Sequence, residues 1–423
     1  MKESTTHRSL VFAGLLLAMF MAAIEATIVA TAMPSIASEL GGFALYSWVF
    51  SSFLLMQAVT IPMFGKLSDM LGRKPVFVGG VIVFLIGSVL CGFARSMHML
   101  IAFRFMQGLG AGAVQPITTT LAGDLYSLEE RGKVQGYMSG VWGISSILGP
   151  LAGGLIVHSV GWPWIFWMNI PIGIAAITLV VINLHETVDV PVKRSIDYVG
   201  AMLLLGGVGS LMLALTQSGS WSWEILVPLA GAALVAFILF VRQEKRAPDP
   251  LMALGLWENG LIRYANIAGL TSGILMIGMI TFLPTYVQGV LGGSALLAGF
   301  TLSVMTVGWP MAAFAAGRRI ATHGVRRFVR TGGIALMAGS LIVASFSATG
   351  ALASGIGSFI IGIGLGLVNT VTLVAIQASV SWSQRGVATA TNMLMRILGQ
   401  AVGAAMFGGV LNWRLSTWLR DAG

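Results

Sequence analysis

The feature that most constrains this chain is an apolar run of about twenty residues that returns thirteen times along it. A helix needs roughly twenty residues to cross about 30 Å of hydrocarbon. Stretches of that kind occupy 9–33, 43–65, 75–94, 97–123, 132–159, 163–184, 196–216, 224–241, 262–289, 293–317, 328–349, 352–380 and 385–411. A membrane β-barrel is excluded, because its strands alternate polar and apolar over only about ten residues. A soluble fold is excluded by the balance of the whole: 56% hydrophobic and 9% charged residues, with mean hydropathy +0.89, against roughly 25% charged in ordinary globular domains. The expected class is an all-α polytopic membrane protein. Glycines and prolines inside the spans fit it, since neighbouring helices re-satisfy the freed backbone groups. Lys2 and Arg8 ahead of Ala30-Thr31-Ala32 imitate a cleavable leader. Glu25 interrupts that run and twelve more spans follow, so the first span is expected to be retained.

Lysine and arginine fix the expected direction of threading. With the N-terminus inside, nineteen of the 24 basic residues fall in inside segments, among them Lys66, Arg73, Lys74, Arg131, Lys193, Arg194 and Arg385. The outside loops hold only Arg95, Arg104 and Arg396 lie within spans, and Arg414 and Arg420 sit in the tail. This bias accounts for the net charge of +9 without nucleic acid as a partner, and implies a multi-pass protein of the cell membrane with a cytoplasmic N-terminus. The single Cys91 and five scattered histidines offer no disulfide framework and no metal cluster. No phosphate-binding G-x-x-x-x-G-K-[ST] run is present, so no nucleotide and no organic cofactor is expected. A membrane enzyme would need clustered catalytic acids or histidines at one depth, and none is seen.

The two halves repeat. Ser127–Gly132 matches Ser381–Gly386 and Gly149 matches Gly403 at an offset of 254, while Gly65, Gly72 and Lys74 match Gly317, Gly324 and Arg326 at 252. The expected division is therefore 1–195, an N-terminal six-helix bundle; 196–261, an inserted helix pair with a linker; and 262–423, a C-terminal bundle of five spans plus a tail. By its own repeat the sequence reads one helix short, with the tail 412–423 expected outside.

Gly65-Lys-Leu-Ser-Asp69-Met-Leu-Gly72-Arg73-Lys74 joins spans two and three. Asp69 is positioned to face a helix N-terminus, whose partial positive charge stabilises a carboxylate. This run resembles the signature loop of the major facilitator superfamily. Arg104-Phe-Met-Gln107-Gly108-Leu-Gly110 resembles that family's fourth-span motif, and Gly140 through Gly149-Pro150-Leu-Ala-Gly153-Gly154 resembles its antiporter motif. Trp162-Pro-Trp164 through Asn169-Ile-Pro171-Ile-Gly173, together with the inserted pair, resembles the fourteen-helix drug:proton antiporter branch. That branch usually has Asp in its first-span motif; here Ile24-Glu25-Ala26-Thr27-Ile28-Val29 carries Glu. The resemblance implies two bundles rocking around a central cavity, proton-coupled export of lipophilic drugs or antibiotics, no enzymatic activity, and a monomer. It also implies that Asp69, Arg73, Lys74 and Arg131 help to close the cytoplasmic side. A proton-coupled uptake symporter of a small organic solute is the alternative, disfavoured by the antiporter motif.

Among fifteen acids only Glu25 lies deep in a span, and an ionisable group at such depth is expensive and points to function. At 1.5 Å per residue, Glu25 is about 12 Å and Arg104 about 10 Å from the outer ends of their spans. The two are expected to pair and to carry the proton. Gln107, Gly108, Ala111 and Gln115 continue the Arg104 face at helical spacing, and Asn392, Arg396 and Gln400 form a second stripe. Both stripes, with Gln57, Tyr286, Gln288, Asn369 and Gln377, are expected to line the substrate cavity. One acid against two arginines makes neutral or anionic substrates at least as suitable as dications.

Overall fold

The computed structural model describes residues 6–41, 45–186, 197–217, 221–248, 250–252, 254–293, 295–346 and 350–422. Its helices are α1 (Arg8–Leu40), α2 (Tyr46–Leu71), α3 (Arg73–Gly92), α4 (Met97–Leu125), α5 (Leu128–Ser159), α6 (Trp164–Trp167), α7 (Asn169–Asn183), α8 (Tyr198–Thr216), α9 (Trp223–Arg246), α10 (Gly260–Gly289), α11 (Ala295–His323), α12 (Val325–Phe346), α13 (Ala351–Ser379) and α14 (Arg385–Ala422). Every apolar span meets a helix, and no strand occurs among the described residues. The sixth span is divided into α6 and α7. Pro171 has no N–H to give the carbonyl of Trp167, four residues back, and the ladder breaks there. Nine described segments are long and apolar enough to cross a membrane, and Tyr198–Ala214 is a shorter apolar helix. The long helices outside that set, α4, α5 and α14, are richer in Gly, Thr and Gln. The buried set of α4 includes Gln107, Gly108, Gly110 and Thr118 to Thr120, which pack on protein rather than lipid.

Local chemistry sets the boundaries. Ser96 caps α4 by accepting the Met99 amide. Ser127 and Glu130 form a capping box at the start of α5. The exposed Glu130 carboxylate accepts the Ser127 amide, which holds its pKa below the usual value. Between α2 and α3 a single residue, Gly72, turns the chain at φ 93°, a conformation side chains rarely adopt. Its repeat counterpart Gly324 does the same between α11 and α12 at φ 74°. α14 runs on as helix through Ala422, into the segment expected as a tail. Lys2, Lys193 and Arg194 lie outside the described residues.

Helices α1, α4, α5 and α7 pack together, with α2 and α3 against α4; α10 packs on α14, and α11 and α12 on α13. Between these groups α2 crosses α14, and α5 crosses α11. Both crossings are built on glycine. A Cβ at Gly65 would lie 2.8 Å from the Gly386 carbonyl oxygen, and one at Gly132 would collide with Gly317 Cα. By the sequence repeat Gly65 corresponds to Gly317, and Gly132 to Gly386, so the two crossings are the same contact made twice, as a twofold axis requires. The copies differ in charge: 252 residues after Asp69 stands Ala321. Helices α8 and α9 pair with each other, and α8 lies along α2 and α14. Ala58, Val59, Leu204, Val208, Phe240 and Leu394 share the cluster beneath it.

Candidate functional site

Two polar assemblies stand out. The first joins the helix ends that carry Arg73, Arg131 and Arg385, called here the basic face. Asp69, at the end of α2, accepts the amides of Gly386 (3.1 Å) and Val387 (2.9 Å) at the start of α14. Four unmatched amides and the macrodipole make that terminus an anion site. Arg73, fully buried on α3, pairs with Asp69 at 2.7 Å and with Asp124 of α4 at 3.1 Å. It also donates to the carbonyls of Ser68 and Trp382 and lies 3.9 Å from the Trp382 ring centroid. Arg385 closes the circuit by pairing with Asp124 at 2.6 Å and donating to the Gln377 carbonyl. Arginine's planar fork suits such multiple donation. Lys74 faces elsewhere: its Nζ donates to the Leu184 carbonyl, while the amides of Arg73 and Lys74 donate to Glu186. Arg131 donates to the Tyr126 carbonyl and makes no ion pair among the described residues. The circuit's further members, Asp124, Trp382 and Arg385, were not singled out as site residues in the sequence. The signal available was Arg385 as the repeat partner of Arg131.

The second assembly is buried among α1, α3, α4 and α7. Glu25 Oε1 is 2.5 Å from Arg104 Nη1, and Glu25 Oε2 accepts from Asn169 Nδ2 at 2.7 Å. Arg104 also donates to Gln107 Oε1 (2.6 Å) and to the Val49 carbonyl (3.1 Å), with its guanidinium 4.2 Å from the Phe53 ring centroid. Gln107 donates to Ser88. Glu25, Gln107 and Asn169 are fully buried and Arg104 nearly so. Asn169 enters from the motif that resembles the sixth-span signature, yet only its chemistry in three dimensions reveals it as the second ligand of Glu25.

Several expected cavity residues are engaged in helix contacts in the state described here. Gln107 is sealed in the Glu25 cluster. Gly108 lets α4 touch the Phe53 backbone and Ala111 lies in the apolar core, so of the Arg104 stripe only Gln115 is half-buried. Gln377 is fully buried and bridges the Thr119 carbonyl of α4 and Thr389 of α14. Asn392 clasps α10 through the Ala265 carbonyl and Asn266. Asn369 donates to the Leu365 carbonyl within its own helix. Gln57, Tyr286, Arg396 and Gln400 are half-buried, and Gln400 approaches Met276 Sδ at 4.0 Å. The side chains of Gln288 and Pro150 lie outside the described set. The antiporter-motif glycines also divide. Gly149 presses on Thr27 of α1 and Gly153 is buried, whereas Gly140 and Gly154 face open space. Close packing along α5 against α11 falls instead to Gly132 and Gly136.

An all-helical polytopic body with repeat-related crossings, a buried ion pair and a charged circuit at one face is that of a membrane transporter. Residues 15–404 match the family model of the Major Facilitator Superfamily; the chain belongs to that family. It is 35% identical to multidrug transporter protein MdtP of Bacillus subtilis over 98% of this chain and 77% of that protein. It is also 35% identical to multidrug resistance protein 3 of the same organism, over 100% of this chain and 82% of that one. Efflux pump FUS6 of Gibberella fujikuroi is 32% identical over 95% and 75%. Among solved structures, human organic anion transporter MFSD10 superposes with TM-score 0.71 at 17% identity, covering 95% of this chain and 93% of that one. The proton:xylose symporter XylE superposes with TM-score 0.63 at 14% identity, over 98% and 90%. These last two attest the fold.

Proposed function

We propose that this transporter is a proton-coupled exporter of lipophilic drugs or antibiotics, of the fourteen-helix drug:proton antiporter branch. It sits in the cell membrane with its N-terminus and basic face in the cytoplasm and acts as a monomer by alternating access. The relatives named as multidrug transporters and efflux pumps support export. The observation that carries proton coupling is the Glu25 carboxylate, fully buried, with one oxygen on Arg104 and the other on Asn169. A buried ion pair is held by its partner: remove one charge and the other is left uncompensated. Protonating Glu25 neutralises one member, loosens Arg104, and frees the contacts between α1, α4 and α7. The Asp69–Arg73–Asp124–Arg385 circuit holds the cytoplasmic ends of α2, α3, α4 and α14 together in the state seen here. Opening it faces the cavity inward to receive drug, and reclosing it, after the proton has left, faces it outward.

The test uses proteoliposomes with an imposed pH gradient, a reporter of internal pH, and a panel of cationic, neutral and anionic antibiotics. Substrate-dependent proton flux that disappears in Glu25→Gln is expected. Undiminished coupled flux in that variant removes Glu25 from the mechanism.

A further inference from the structure

Arg396 belongs to neither polar assembly. It lies 11 residues into α14, about 16 Å from the basic face, near the middle of the hydrocarbon layer. The faces of α14 are assigned by their contacts. Ala390 meets Gly65 of α2; Asn392, Gly399 and Gly403 meet α10; Leu394 and Leu398 join the α8 cluster. Thr389, Met393, Arg396 and Gln400, spaced four, three and four residues apart, run along the border between these surfaces: Met393 packs with Ile61 of α2, Gly273 of α10 abuts the backbone of Arg396 and Gln400, and Gln400 reaches Met276. Thr389 receives Gln377 of α13, which also reaches α4, so this row looks into the space between the two halves. Arg396 sits one step further from the basic face, about 10 Å beyond Thr389.

No hydrogen bond or ion pair satisfies Arg396 among the described residues, and sequence explains why. From Ile262 to Gly423 there are ten arginines, no lysine and one acid, Asp421. Nothing in the membrane part of that half can neutralise it. The other deep arginine, Arg104, has Glu25. An uncompensated guanidinium at this depth is costly, and a carboxylate is its best-matched partner, taken through two parallel hydrogen bonds. Neutral hydrogen-bonding groups stand on the neighbouring helices. Gln115 of α4 is half-buried, one turn beyond Thr119. Ser272 of α10 is buried with an unpartnered hydroxyl, between Gly269, which meets Asn392, and Met276, which meets Gln400.

We propose that Arg396 seats the carboxylate of an amphiphilic anion, so that the transported molecules include lipophilic monocarboxylates. The efflux reading supplies only the direction of movement; the seat is a statement about binding. Binding is therefore measured first, on the purified full chain, by energy transfer from its twelve tryptophans to pyrene. The probes are 1-pyrenebutyrate, its methyl ester, and the matching trimethylammonium derivative. The carboxylate is expected to bind at least tenfold more tightly than the ester and the cation. That preference should fall below threefold in Arg396→Gln and survive in Arg396→Lys, which keeps the charge and controls for misfolding. Equal affinity for the three probes, or a preference that persists in Arg396→Gln, overturns the proposal. Export from vesicles is then assayed separately. Carboxylate binding through Arg396 with no export of any probe leaves the seat standing and removes efflux. Export of ester and cation with no carboxylate preference keeps efflux and removes the seat.

Discussion

At the scale of single residues, the buried cluster makes unequal demands on its members. Arg104→Gln leaves Glu25 buried beside Asn169 alone. Losing one member of a buried pair costs about 3–5 kcal/mol, and a lowered midpoint in thermal unfolding of detergent-solubilised protein should report it. Glu25→Gln/Arg104→Gln removes both charges and should recover most of that loss; a double variant as unstable as Arg104→Gln contradicts the pairing argument. Asn169→Ala deletes one neutral donor to a carboxylate and should cost less, about 1–3 kcal/mol. The similar depth of Glu25 and Arg104 was legible from spacing, and their meeting from that depth together with the family resemblance. Their sealing was not. Whether a polar helical stripe faces a cavity or a neighbouring helix depends on what packs opposite, and the sequence of α4 does not carry the position of Phe53. The helix-to-helix contacts of Asn392 and Gln377 were not legible for the same reason.

Among elements, the crossings of α2 with α14 and of α5 with α11 carry the contacts between the halves. Gly132→Val would drive a side chain into the Gly317 backbone. Tyr137 and Phe314, whose ring centroids are 5.9 Å apart on the same two helices, provide the readout. Cysteines placed at 137 and 314 should crosslink readily in the parent and poorly when Gly132→Val is added. Asp69→Asn keeps the shape of its side chain but withdraws the charge from the α14 amides and from Arg73. It should raise the labelling rate of a cysteine at 382 by a membrane-impermeant reagent. The helices themselves were almost wholly legible, because twenty-residue apolar runs leave the backbone no alternative in lipid. Two features escaped: the division of the sixth span at Pro171 and the unbroken α14 beyond 411. A proline inside a span usually leaves the helix whole, and nothing in the polar tail marks a stop.

For the whole molecule, the proposed coupling requires that a proton near one face change the other. Spin labels at 129 and 323 would sit on the adjoining ends of α5 and α11. Lowering the pH should shift their distance distribution toward a longer population. Glu25→Gln, a fixed mimic of the protonated group, should hold it there at every pH. A distribution unmoved by either change means that Glu25 does not control closure at the basic face. Repeat offsets foretold which loops correspond; that their glycines meet in paired crossings, and that a charge circuit joins α2, α3, α4 and α14, needed three-dimensional placement.

The correspondence of Gly65 with Gly317 and of Gly132 with Gly386 has a consequence for how such a machine is adjusted. Both bearings bring glycine backbone against glycine backbone, with Ser68, Asp69 and Ala390 also in contact at the first, and neither tolerates a further side chain. Only one of them carries a catch, because the place of Asp69 is taken by Ala321 in the other copy. The strength of the catch is thus separable from the fit of the bearings. Natural variation can retune how readily the molecule opens at one carboxylate and its arginine, while the surfaces that guide the swing stay untouched.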